Sequence, residues 1–308
     1  MKTFHGVTLS WTVVESVLEV RLHRAPCNEI GTATLGELEQ LAATLKTGGH
    51  GARAMLIYSD QPNGFSAGAD LRELYDGMRG IRAGGLRSLA TALATHSAGD
   101  QSVLATVKDV ALGAARRSRR AVLAPIVVRE VRRFLHRIHA VFDTIDTAPL
   151  VTVAALHGVV FGGGFELALT SDMRIADKST RFAFPELRLG IIPGFGGIPR
   201  LEREVGNAVV RDLLFTGRSL NATRAHEVGL ISQVVAKGEH VEAARRAARQ
   251  AARFEPEVVR AAKPFVKPIP RDRLDAEIEL FLTMLRSRTV EAALDRFVHS
   301  TDVRPYLP

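Results

Sequence analysis

Apolar positions along the chain recur with two periods. Val7–Trp11 and Val17–Leu22 are rich in Val, Leu, Thr and Trp with partial alternation, which predicts a strand pair. Thr32–Leu45 places Leu35, Leu38, Leu41 and Leu45 near helical spacing and predicts an amphipathic helix. Ala54–Ser59 and Leu150–Leu156 read as apolar strands. Val131–Ile145 puts Phe134, Ile138, Val141, Phe142 and Ile145 on one helical face, and Pro149 ends that helix. A triple glycine at 162–164 then leads into a helix reaching about Ser171, followed by a strand at Met173–Ala176. Repeated strand-then-helix order predicts an α/β architecture. Beyond Pro199 the pattern is helical, over Leu201–Phe215, Thr223–Val228, His240–Phe254 and Leu274–Leu285. Lys263–Pro270, with three prolines, reads as a stiff connector.

Composition narrows the class. The 308 residues suffice for one large domain, or one domain with an appendage, and 46% are hydrophobic. No apolar run approaches the roughly 20 residues needed to span a bilayer. Met1–Gly6 has no apolar segment resembling a signal peptide, so a cytoplasmic location is expected and a membrane is not. With Cys27 the one cysteine, an internal disulfide and a Cys-rich metal site are both excluded. The net charge of +8 favours anionic partners. Arg116, Arg117, Arg119, Arg120, Arg129, Arg132, Arg133 and Arg137 crowd one Ala-, Leu- and Arg-rich region, read as two or three helices. Few aromatics interleave with them, so a base-stacking nucleic-acid surface is not expected.

Two glutamates carry the candidate chemistry: Glu166, just after the glycine run, and Glu186, after Phe184-Pro185. A glycine run between strand and helix lets the backbone approach a ligand closely, and the first helical N–H groups have no intrahelical partner. Gly163 is therefore placed to donate to a developing oxyanion. Ala69, in the small-residue turn Ser66-Ala67-Gly68-Ala69-Asp70, is the best second donor. The run has neither the spacing of a dinucleotide fingerprint nor the Lys-Ser/Thr of a P-loop. Taken singly, the glycines read as a tight turn, Glu166 as a first-turn acid and Glu186 as a loop carboxylate. Ser66 has no visible His–Asp pair to activate it and reads as a turn residue. Cys27 reads as an inert thiol and His157 as structural.

In combination these residues resemble the crotonase (enoyl-CoA hydratase/isomerase) superfamily. The resemblance runs in order through Arg24–Asn28, Phe65–Leu71, Pro149–Gly158, Gly162–Ala168, Ser171-Asp172, Phe184–Glu186, Leu189–Gly197 and Gly217–Leu230. It implies an α/β fold, a crotonase-like spiral of ββα turns with a helical C-terminal region used in trimer contacts. On this reading the core spans 1–215 with a basic helical insertion at about 78–133, and the helical C-terminal region spans 216–308. The resemblance implies an acyl-CoA substrate and no other cofactor or metal, with a homotrimer or a dimer of trimers. The thioester oxygen would lie between the N–H groups of Ala69 and Gly163. Glu166 would act as general base on a water, and Glu186 as general acid at Cα. The twenty-position interval between them matches the hydratase arrangement. Arg24, Ala67, Asp70 and Lys263 would lie on the coenzyme A side, with Asp70 ordering the turn behind the first oxyanion donor.

Two departures keep alternatives open. Eighty residues separate Ala69 from Pro149, where family members need a few dozen. The basic insertion reads as a solvated helical elaboration or as a docking site for an acidic acyl carrier protein. The chain also ends without the Lys-rich segment that follows a Phe in many relatives. Isomerisation, or hydrolysis of a thioester or C–C bond, is the alternative chemistry. A non-catalytic scaffold that binds RNA or a partner is the alternative class.

Overall fold

The structure, a computed structural model, describes residues 3–77 and 128–300. Most of the expected basic insertion, 78–127, lies outside the described residues, as does the chain beyond 300.

The N-terminal strands β1 (Thr3–His5), β2 (Leu9–Val14) and β3 (Val17–Leu22) form an antiparallel meander. Then come α1 (Thr32–Lys46), β4 (Ala54–Ser59), β5 (Gly64–Ser66), a helix α2 over 71–77 and a helix α3 over 128–146. The next turn is β6 (Val151–Leu156), β7 (Val159–Phe161) and α4 (Gly163–Leu169), followed by β8 (Met173–Asp177) and β9 (Arg181–Ala183). Successive strands alternate between two sheets: β4, β6 and β8 enter the larger one, and β5, β7 and β9 the smaller. Each turn of the spiral thus gives one strand to each sheet, as the ββα reading expects. The larger sheet runs β1-β2-β3-β4-β6-β8-β11 and is parallel from β3 onward. The smaller runs β10-β9-β7-β5.

The larger sheet is covered on both faces, which explains why its central strands are apolar throughout. Leu18, Val20, Met55, Ile57, Ala154 and Leu156 point into the main core with the leucines of α1 and with Leu135, Ile138, Phe142 and Ile145 of α3. The alternate residues Val17, Leu56, Val153, Ala155 and Ile175 face the alanines of α8 (His240–Ala251). A helix face of Ala243, Ala244, Ala248 and Ala251 lets the backbone come close to the sheet.

Three expectations change. The helix expected over Leu201–Phe215 is two, α5 (Gly197–Val205) and α6 (Asn207–Thr216), because Gly206 at φ 76° turns the chain between them. Lys263–Val266 is not connector but the end of α9 (Pro256–Val266). Pro256 starts that helix where its missing N–H is no loss, and Pro264 falls in the last turn. The sheets also continue past residue 215. Of the elements after it, β10 (Leu220–Asn221) pairs with β9, α7 spans Ala222–Glu227, and β11 (Gln233–Val235) pairs with β8. The chain then closes with α10 (Arg271–Leu285) and α11 (Arg288–His299).

Candidate active site

Two strand ends build the oxyanion-binding geometry. After β5, Ile30 N donates to Gly68 O (2.8 Å) and Asp70 N donates to Ile30 O (3.1 Å). The intervening Ala69 N–H has no partner among the described residues. Neither has the N–H of Gly163, the first residue of α4, as expected of a helix start. The two segments are pressed together: a Cβ on Gly163 would lie 3.3 Å from Ala69 N, and one on Gly164 2.5 Å from Ser66 Cβ. Ser66 is fully buried. Its hydroxyl donates to Asn28 O (2.8 Å) and accepts from Gly68 N (3.1 Å), which makes it a turn residue.

Ala69, Gly162, Glu166 and Glu186 line one cavity of about 410 Å³. Glu166 projects from α4, and Glu186 starts the short 3-10 turn Glu186–Leu189. Glu166 is 1% exposed, and its Oε1 accepts from Phe195 N (2.7 Å) and Gly197 N (2.8 Å). Its Oε2 has no protein partner among the described residues. Burial pushes this carboxyl up to about 7, against the two amide bonds and the Arg200 charge that favour ionisation. Glu186 is half-buried, and its Oε2 is enclosed without a partner among the described residues. Burial, then the charges of Glu166 and Glu277, hold it well above the usual carboxylate range. Of the two carboxyls in the cavity, Glu186, which lacks the two amide donors of Glu166, is the one that holds its proton more firmly.

Three further residues, not picked out in the sequence, hold the loop between Glu186 and α5. Glu277 of α10 is 4% exposed and accepts from Gly196 N (2.7 Å) and Ile198 N (3.0 Å). Arg200 is fully buried, donating to Phe195 O (3.1 Å) and Gly196 O (3.3 Å) and pairing with Asp146 (2.9 Å) and Asp143 (2.5 Å). His139 Nε2 meets Gly194 O (2.9 Å), and burial lowers that imidazole to about 4, so it is neutral at pH 7. Glu277 does leave a sequence signal: it shares the helical face of Leu274, Ile278, Phe281 and Leu285, where a solvated charge has no place.

The residues expected on the coenzyme A side separate. Ala67 and Asp70 line the cavity. Asp70 Oδ1 accepts from Glu73 N (2.9 Å) at the start of α2 and Oδ2 from Arg24 (2.5 Å), which orders the turn behind Ala69. Arg24 also donates to Glu29 O (2.6 Å). Lys263 is not at the entrance. It is buried, and its three N–H donors are taken by Ala148 O (2.9 Å), Leu150 O (2.9 Å) and Asp172 (2.8 Å). Arg132, Arg133 and Arg137 of the basic region are paired with Glu279, Glu130 and Glu39, and Arg129 lies 3.4 Å from Glu130. Cys27 is buried, with its thiol pushed up to about 11 by burial. His157 Nε2 meets Gln61 O (2.9 Å) beneath His240.

The remaining wall is apolar: Leu71, Leu74, Val131, Phe134, Leu135, Leu189, Ile191, Ile192 and Phe281. Among the described lining residues no Lys, Arg or His occurs, whereas Glu73, Asp76 and Glu130 add negative charge. Among the described residues no cluster of three His, Cys, Asp or Glu is arranged to hold a metal ion, and no helix is long and apolar enough to cross a membrane.

Comparison with known proteins agrees with this arrangement. The family model described as enoyl-CoA hydratase/isomerase matches residues 130–302. Enoyl-CoA isomerase/hydratase fer4 of Mycosarcoma maydis is 36% identical over 174 residues, 54% of this chain and 63% of that protein. Methylglutaconyl-CoA hydratase of Rattus norvegicus is 43% identical over 124 residues, 40% of this chain and 39% of that protein. The matches thus span less than two thirds of either relative. An enoyl-CoA hydratase/isomerase structure from Xanthobacter autotrophicus Py2 superposes with a TM-score of 0.71 at 21% identity, covering 98% of this chain and 96% of that one. At that identity the likeness shows the fold.

Proposed function

The chain belongs to the enoyl-CoA hydratase/isomerase family, and on that footing we propose that it hydrates α,β-unsaturated acyl-CoA thioesters reversibly. The observation that carries this reading is the convergence of Glu166 and Glu186 on one cavity beside two backbone donors, Ala69 N and Gly163 N, that have no partner among the described residues. Donation from both to the thioester oxygen draws electron density from Cβ and stabilises the enolate that forms on attack. Glu166, anchored through Oε1, keeps Oε2 for a water and takes its proton. Glu186 holds the proton of the group and delivers it to Cα. Addition of water across the double bond is then balanced, and the reverse path uses the same two groups.

The apolar wall suits an uncharged acyl chain. Loss of the conjugated enoyl-thioester absorbance tests the reading. Glu166→Gln and Glu186→Gln should each slow it by about two to four orders of magnitude. Full activity in Glu166→Gln would exclude a two-glutamate mechanism, and a moved double bond without added water would indicate isomerisation.

A further inference from the structure

The N-terminus of α5 is capped by two carboxylates from distant parts of the chain. Its unbonded amides are those of Gly197 and Ile198, because Pro199 has none and Arg200 N already reaches Gly196 O (3.4 Å). The amides from 195 to 198 are dealt out alternately. Phe195 and Gly197 donate to one oxygen of Glu166, and Gly196 and Ile198 donate to the two oxygens of Glu277. Each carboxylate therefore fixes the strip of backbone that the other uses. Resting on the hydratase reading, we propose that Glu277 is a positioning residue for hydration: from α10 it sets the amides that fix Glu166 Oε1 and so aims Oε2 at the water.

The geometry separates this role from general support of the fold. Glu277 accepts one N–H on each oxygen, which favours its ionised form, while burial and the Glu166 charge hold it well above the usual carboxylate range. The titratable groups about Glu166 are Glu186, Glu277 and Arg200, with His139 on α3 neutral, and its ionisation is favoured by the amides of Phe195 and Gly197 and by Arg200. Loosening those two amides should therefore make Glu166 harder to ionise.

Glu277→Gln and Glu277→Asp are the variants to compare, with Glu166→Gln as the reference. In Glu277→Gln an amide NH₂ must face one of the two backbone donors. We expect kcat to fall on the order of a hundredfold with KM within about threefold, as for a misplaced base. The acid limb of kcat/KM should move to higher pH. Glu277→Asp keeps two acceptor oxygens but not the reach, so it should lose less kcat and move the acid limb less. Infrared titration of the carboxyl band absent from Glu166→Gln reads the same shift in substrate-free protein. Wild-type kcat in either folded variant, or an unmoved Glu166 titration in Glu277→Gln, overturns the proposal while leaving the hydratase reading intact. Full activity in Glu166→Gln removes both. If Glu277→Gln does not fold, Glu277→Asp decides: reduced kcat with the acid limb raised supports the role, and wild-type kcat overturns it.

Discussion

Glu166 and Glu277 illustrate how the placement of one oxygen decides the consequence of a substitution. Glu166 receives both of its amide bonds on Oε1, so the carbonyl oxygen of a glutamine can accept the same two donors. Glu277 spends one oxygen on each amide and has no such replacement. Ionised Glu166 is also a cost to the fold. A carboxyl raised from 4.5 to about 7 favours the protonated folded state, so the stability it supplies is full below 4.5 and is lost as pH rises through about 7. At about 1.4 kcal/mol per pH unit, Glu166→Gln should unfold about 3 kcal/mol later than wild type at pH 8. The difference should vanish below pH 4.5. Denaturant unfolding of both proteins across that range measures it, and a glutamine variant no more stable than wild type at pH 8 would contradict it. A more stable, inactive variant is the pattern expected where a strained charge serves catalysis.

At the scale of elements, the site depends on corners. Gly162 joins β7 to α4 at φ 48° and ψ −126°, a conformation open to glycine, and a Cβ there would overlap Glu186 Oε1. Gly162→Ala should therefore displace the acid as well as strain the turn, lowering turnover on the order of tenfold or more and stability by about 1–3 kcal/mol. Wild-type turnover in that variant would show that Glu186 does not hold its position through this corner. The same corners explain what could be read from sequence. The long periodic elements, α1, α3, β4 and β6, are clear from leucine spacing or apolar runs. The smaller sheet is not, because β5, β7 and β9 have three residues each and β10 two, too few to display alternation. Gly206 split a helix that hydrophobic pattern alone would continue.

Across the whole molecule, the spiral brings Ala67, Ala69, Asp70, Gly162, Glu166, Glu186, Gly194 and Phe195 to one cavity, and Glu277 holds the loop that follows Phe195. Glu166, Glu186, Ala69 and Gly163 were legible because a local motif accompanies each. Lys263 was misplaced because a lysine suited to phosphate at the surface is, in sequence, the same as one buried on Asp172. Glu277 was missed because its partners lie eighty positions upstream and are backbone amides, which leave no side-chain signature. The buried pairs of Arg200 with Asp146 and of Lys267 with Asp146 (2.9 Å) and Asp172 (2.8 Å) tie the loop before α5 to α3 and to the end of α9. The central claim, that this assembly adds water to an enoyl thioester, is tested most directly by product mass after reaction in heavy-oxygen water. The account predicts one labelled oxygen per product with wild type and essentially none with Glu166→Gln; consumption of substrate without gain of a labelled oxygen would contradict it.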